Sequence, residues 1–369
     1  MGLVDTMLTS GSYIWSGNAL PMPKIQISVP NYTSIIGHGL ISLKGTFAHG
    51  WFGNQTYTQN YYLHQKSIYG RIGKPQWKIN FYSGFNHQVQ WGGFSPALVN
   101  NPYVAQNGYL PSDFNYFMNI AFPFSFVRKA FQPKIKIGVD SDNYGGNQLG
   151  SVDFAGEIKF KKMNVLIYRQ LPYELGSLFS SLVNADDGIY GVSVKLLNPF
   201  FSIHKFTIEG FHSFNQGVYR SGISRLLNLK DNHFGEYHNY LNHGQYGDGW
   251  SYNNIGIGTP LILSNNELSS KIEQKNVFTF SSYNKVKSVI GMLEGKFLKF
   301  NYGIKCNYSI YTQTNNISNL PKFTQFSFNA FSKFKIKNDC SIMISYAMDK
   351  GEILNISNGI TFSILKNWY

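Results

Sequence analysis

The chain has 369 residues, of which 43% are hydrophobic, 17% aromatic and only 14% charged. Soluble domains carry about 25% charge, so this composition excludes both a disordered chain and an ordinary soluble surface. Lys and Arg number 32 against 19 acidic residues, a formal charge of +13, which suits anionic lipid headgroups or acidic polysaccharide; the cations are scattered singly, with no arm, stripe or module, which argues against nucleic acid.

Period-two alternation of apolar and polar residues marks strands along most of the chain. Runs at 40–52 and 61–72 come first. The clearest follows from Trp77 to Trp91, where Ile79, Phe81, Phe85, His87 and Val89 share one face and Lys78, Asn80, Tyr82, Asn86, Gln88 and Gln90 the other. Further runs cover 134–139, 150–162, a segment closing at Tyr168–Tyr173, 188–197, 204–216, 275–283, 286–299, 300–312, 325–336, 340–349 and 356–366, about fourteen strands in all. Short turns such as Gly73-Lys-Pro75 alternate with excursions near 92–115, 140–149, 171–187 and 217–265.

No run approaches the roughly 18 uninterrupted apolar residues of a membrane-spanning helix, so a membrane role must rest on strands. A soluble β-sandwich alternates too, but its strands have a modal length of about 5 to 6 residues, whereas a tilted membrane strand needs about 9 to 11. Several runs exceed that minimum, and Tyr and Trp sit near run ends as interfacial girdles do. The expectation is an all-β, antiparallel transmembrane β-barrel with long extracellular loops, a single domain over residues 1–369, in the bacterial outer membrane. The strand-like end Trp368-Tyr369 resembles the aromatic terminus recognised by barrel-assembly machinery. Met1-Gly-Leu-Val-Asp has no basic start followed by an apolar stretch, so a signal peptide is either removed or lies in a missing N-terminal part.

Catalytic signatures such as GxSxG, HExxH and Walker A are absent, and no cofactor is implied. Gly146-Asn-Gln-Leu-Gly150 reads as a turn, since no helix-forming pattern follows it. Asp186-Asp187 reads as turn chemistry before a strand, because a glycosidase pair acts across a bond at about 5 Å or more. Cys306 and Cys340 are in separate strand-like runs, without metal-type spacing. The densest polar stretch, Asp231 to Tyr252, contains His233, His238 and His243 at intervals of five, which suits no usual metal geometry. Its amides, carboxylates and aromatics suit sugar recognition, through aromatic faces and paired hydrogen bonds; a loop folded over a barrel mouth without a ligand accounts for it equally well. Candidate polysaccharide contacts are His87, Gln90, Trp91, Arg169, Asp231, Asn232, Tyr246 and Trp250, with Trp91 alternatively an interface anchor and Arg169 alternatively a salt-bridge partner.

Gly2-Leu-Val-Asp-Thr, Ser10 to Gln26, Ala48-His-Gly-Trp51, Phe85-Asn-His-Gln-Val-Gln-Trp-Gly-Gly93, Asp187 to Lys195, Gly249-Trp-Ser-Tyr252 and Gly258-Thr-Pro260 together resemble the Wzi-type capsule assembly family, in its Bacteroidetes-type branch. The resemblance implies a barrel of about eighteen strands, acting as a surface lectin that helps attach capsular polysaccharide amid outer-membrane lipid and lipopolysaccharide. About fourteen strands against eighteen implies a missing N-terminal part. The remaining alternatives are a porin-like barrel with Lys, Asn and Gln lining a wet lumen, and a surface enzyme acting on glycan or lipid through Asp231, His233, Glu236 or Asp248.

Overall fold

The computed structural model describes residues 2–132, 145–174, 184–200, 202–230, 237–272, 279–314, 321–337 and 340–366. Its strands are β1 (Lys24–Ile36), β2 (Ile41–Asn54), β3 (Gln59–Ile72), β4 (Ile79–Trp91), β5 (Asn147–Lys159), β6 (Met163–Tyr173), β7 (Gly188–Phe200), β8 (Ile203–His212), β9 (Ser251–Tyr252), β10 (Ile255–Gly256), β11 (Lys285–Phe297), β12 (Phe300–Thr312), β13 (Lys322–Lys337), β14 (Cys340–Gly351) and β15 (Ser357–Lys366). Short helices α1 (Phe114–Ala121), α2 (Ser125–Ala130) and α3 (Gly222–Leu226) lie in the connections.

Thirteen strands form one sheet in the order β1 through β8 and then β11 through β15, while β9 and β10 make a separate hairpin. Every neighbouring pair is antiparallel. In such a meander β1 and β15 run in the same direction, and both are edges. The strands run from 10 residues in β8 to 16 in β13, well beyond the modal length of about 5 to 6. Connections 37–40, 73–78, 160–162, 201–202, 298–299 and 338–339 join strand ends on one side of the sheet, and 55–58, 92–146, 174–187, 213–284, 313–321 and 352–356 on the other. The long connections 92–146, 174–187, 213–284 and 313–321 are thus all at one end, and those at the other end are short.

The differences from the sequence expectation are local. β1 escapes the alternation because Pro30 interrupts it; the register shifts between Val29 and Thr33, and a residue without an N–H is tolerated where only one neighbour needs bonding. Gly146-Asn-Gln-Leu-Gly150 is not a turn beyond Gly146, since β5 begins at Asn147 and pairs with Gln90. The described part of 275–283 is not strand, and the excursion expected at 217–265 extends to β11. The expected run 134–139 and the terminal Trp368-Tyr369 lie outside the described residues. Among the described residues the sheet therefore has thirteen strands, with β1 added and 275–283 removed from the expected runs.

The sheet's polarity is inverted relative to that of a water-soluble protein. On one face, called inner here, Gln65, Asn86, Gln88, Gln90, Ser151, Asp153, Gln170, Thr207 and Glu209 are fully buried. On the outer face Phe81, Phe154, Ile167, Val192, Ile208 and Val289 are exposed by 42–63%. The inner face is flat enough for tyrosines to lie on it where a glycine is opposite: Tyr69 covers Gly84 and Tyr168 covers Gly191, each its direct cross-strand partner. A Cβ at either glycine would meet the ring within 2.4 Å, so the ring and the side chain cannot coexist.

Hydrophobic packing occurs on both faces. Leu8, Tyr13, Ile14, Phe52, Tyr61, Leu63, Trp250 and Ile257 belong to a core on the inner side. A smaller cluster, Val89, Trp91, Tyr116 and Ile120, is on the outer face of β3 and β4, where α1 covers it. Lys66 Nζ donates to the carbonyls of Ile120 (2.7 Å) and Ala121 (3.3 Å) in the last turn of α1, the end at which a helix favours a cation.

Candidate functional site

Residues 2–23 contain no helix and no strand, so their backbone groups must find partners elsewhere. The inner face supplies them. Leu3 N–H donates to Asp153 Oδ2 (2.9 Å), Ser10 N–H to Glu209 Oε2 (2.6 Å) and Tyr13 N–H to Gln170 Oε1 (2.9 Å). Thr9 Oγ1 donates to Glu209 Oε1 at 2.7 Å, and Tyr168 Oη donates to the same oxygen. Asp5 accepts from Met7 N–H, Leu8 N–H and Ser193 Oγ and forms an ion pair with Lys205 at 2.6 Å. Burial would raise the Asp5 carboxyl, but Lys205 and these donors outweigh it and hold it below its ordinary range. Carboxylates and amides at alternate positions of β5 to β8 thus bind an extended segment along the inner face.

Residues 237–272 close over the long-connection end of that segment. Trp250 Nε1 donates to Ile14 O (2.7 Å), Thr259 N–H to Tyr13 O (2.8 Å) and Ser16 Oγ to Gly258 O (2.6 Å). Asp187 is a second node. It accepts from Tyr240 Oη (2.8 Å), Asn215 N–H (3.0 Å) and Gln216 N–H (2.7 Å), with His212 Nδ1 at 2.7 Å. Asp186 accepts from Asn215 Nδ2 (3.0 Å) and Gly222 N–H (2.9 Å), so both carboxylates organise the turns around them. Leu241 N–H donates to Glu174 Oε1 at 2.6 Å, and burial pushes that carboxyl up to about 8. Burial lowers His243 to about 4. Asp248 accepts from the N–H groups of Tyr57 and Thr58, and burial raises it despite them.

Of the eight residues singled out in the sequence, Gln90, Tyr246 and Trp250 come together at this end. Gln90 Nε2 donates to Gly249 O (2.8 Å) and its Oε1 accepts from Asn147 Nδ2 (2.7 Å). Tyr246 stacks obliquely on Tyr61, with ring centres 5.6 Å apart, and Trp250 packs edge-on against Trp15 and Phe52. All three are buried. His87 and Trp91 are buried on the opposite, outer face: His87 Nδ1 is 2.8 Å from Tyr173 Oη, and Trp91 sits among Tyr62, Tyr116 and Phe117 beneath α1. Arg169 is also on the outer face, 3.7 Å over the Tyr190 ring. Its guanidinium donates to the carbonyls of Gln170, Ala185, Asp187 and Ile189, so backbone oxygens occupy the fork in place of a carboxylate. Asp231 and Asn232, like His233 and Glu236, lie outside the described residues.

At the short-connection end the inner face is less completely covered. A cavity of about 350 Å³ opens beside Val4 and Asp5, bordered by Tyr32, Lys44, Tyr82, Asn164, Lys195 and Lys205. None of these was singled out in the sequence. For Lys44, Tyr82, Lys195 and Lys205 the only signal was a position in an alternating run, which they share with many residues that line nothing, and Val4, Asp5 and Tyr32 lie outside every expected run. Among the described residues no three His, Cys, Asp or Glu side chains converge as metal ligands, and Cys306 and Cys340 are free thiols.

No protein-family model matches the chain, and no curated protein matches it.

Proposed function

We propose that the sheet is the wall of a bacterial outer-membrane β-barrel that binds capsular polysaccharide and helps attach the capsule to the cell surface. The inverted polarity of the sheet carries the membrane part of this reading: a polar inner face and an exposed apolar outer face suit hydrocarbon outside and a filled interior within. The segregation of long connections to one end supports it, as does strand length. The packing of residues 2–23 and 237–272 against the inner face argues against a wide pore, and so against the porin reading.

The polysaccharide part rests on the resemblance and on the aromatic and amide side chains gathered at the long-connection end. In this reading Gln90, Tyr246 and Trp250 shape the floor beneath the exposed loop residues that meet glycan.

Ile208→Arg tests the membrane part. It is expected to destabilise the protein by about 2 to 4 kcal/mol in bilayers, read as a lower denaturant midpoint in vesicles; an effect within about 0.5 kcal/mol, as at a solvated surface, overturns it. Deletion of the gene followed by capsule staining tests the rest: polysaccharide shed into the medium with synthesis intact is the expected result, and normal capsule retention refutes attachment.

A further inference from the structure

We propose that the cavity at the short-connection end binds a carboxylate-bearing sugar unit of the hexuronic acid class. The cavity holds about 350 Å³, at the lower end of the roughly 300 to 1,000 Å³ of small-molecule sites.

Its charge balance is positive once internal pairs are counted. Five charged groups border it: Lys44, Lys195, Lys205, Asp5 and Glu157. Asp5 is taken up by Lys205 at 2.6 Å and by Ser193. Glu157 accepts from Tyr82 Oη at 3.0 Å and lies 3.5 Å from Lys159 Nζ. Lys44 and Lys195 form no ion pair with the described residues. Lys44 Nζ instead stands over two rings, 4.9 Å from the centre of Tyr32 and 5.4 Å from that of Tyr69.

The wall is aromatic. Tyr32 and Tyr82 have ring centres 5.4 Å apart. Tyr32 Oη is buried without a hydrogen-bond partner, and so is Nε of Arg71, whose guanidinium lies 5.5 Å from the Tyr32 ring. A pyranose supplies what a bare anion does not: an apolar face for the tyrosine rings and hydroxyls for Asn164, while its carboxylate meets an unpaired ammonium group. Inorganic phosphate satisfies only the ammonium groups.

This inference rests on the polysaccharide-binding reading only for the source of the sugar, and its test separates the two. The full chain in detergent micelles is titrated with glucuronate, glucose and inorganic phosphate, and capsular polysaccharide binding is measured separately by pull-down. Glucuronate is expected to bind about tenfold more tightly than glucose and than phosphate, and Lys44→Met with Lys195→Met to remove about tenfold of that affinity. Lys195→Glu alone, at an exposed position that leaves folding intact, is expected to weaken glucuronate by a similar factor, while Lys299→Met in a distant turn changes nothing. Equal binding of glucuronate and glucose, phosphate as tight as glucuronate, or no effect of the lysine variants overturns the site. Polysaccharide capture without any glucuronate binding overturns the site while leaving capsule binding intact, whereas glucuronate bound without any polysaccharide capture supports the site and overturns the broader reading.

Discussion

β4 and β15 are built alike in sequence and differ in almost everything else. Both alternate apolar and polar residues, yet in β4 the inner residues Asn80, Asn86, Gln88 and Gln90 have no exposure at all, whereas nearly all of β15 is exposed on both faces. The difference lies in what covers them. Residues 2–23 and 237–272, which have almost no periodicity of their own, pack on the inner face from β2 to β12, while β15 has one strand neighbour and little else. The same alternation therefore yields a desolvated polar network at one side of the sheet and an uncovered edge at the other. Buried hydrogen bonds are energetically consequential because their alternatives are unsatisfied; solvated ones are not.

The covering segment is pinned to Ile14 by Trp250. Trp250→Ala is expected to cost about 3 to 5 kcal/mol, the range for a large buried side chain, measured as the shift in denaturant midpoint in micelles. A cost near zero would mean that the covering segments are not integral to the fold.

Glu209 probes the polar network itself. Glu209→Ala leaves Thr9, Ser10 N–H and Tyr168 without their acceptor, with an expected loss of about 1 to 3 kcal/mol. Glu209→Gln, which keeps one acceptor oxygen, should lose less by the same measurement; a larger loss for Gln than for Ala would show that charge, not acceptance, matters there.

Glu174 gives the closed end a pH dependence. Its folded pKa of about 8 stands above the ordinary 4.5, so the folded state holds a proton that the unfolded state releases. The stability it contributes is fully present below 4.5 and is lost as pH rises through 8. Thermal unfolding from pH 5 to 8.5 should show a decline that Glu174→Gln flattens; a slope identical in both proteins removes Glu174 as its cause.

The smallest effect is expected at the other side of the comparison. Thr361→Ala on β15, at an exposed position, should stay within about 0.5 kcal/mol of wild type. A loss as large as that of Glu209→Ala would mean that β15 is covered, and the contrast between the two sides would fall.

Much of the sheet was legible because alternation is written residue by residue. The span of β12 was read from its Phe300, Tyr302, Ile304 pattern, and β2, β3, β7 and β11 within a few residues of their ends. β1 was not, since Pro30 breaks the pattern and only an edge position excuses it. The candidate site was less legible. Gln90 and Trp91 are adjacent in sequence, but period two places them on opposite faces, one toward Gly249 and the other beneath α1. Arg169 next to Gln170 is divided in the same way.

The sequence by itself determined the antiparallel strands, their unusual length and the end at which long connections gather, because each follows from local period and turn chemistry. Only the tertiary structure decided which face is inner, that residues 2–23 lie along it, and that Lys44, Tyr32 and Lys195, distant in the chain, border one cavity. Those facts depend on segments without periodicity finding donors and acceptors on strands up to 200 residues away, as Thr9 and Ser10 do at Glu209, and no local pattern encodes such a pairing.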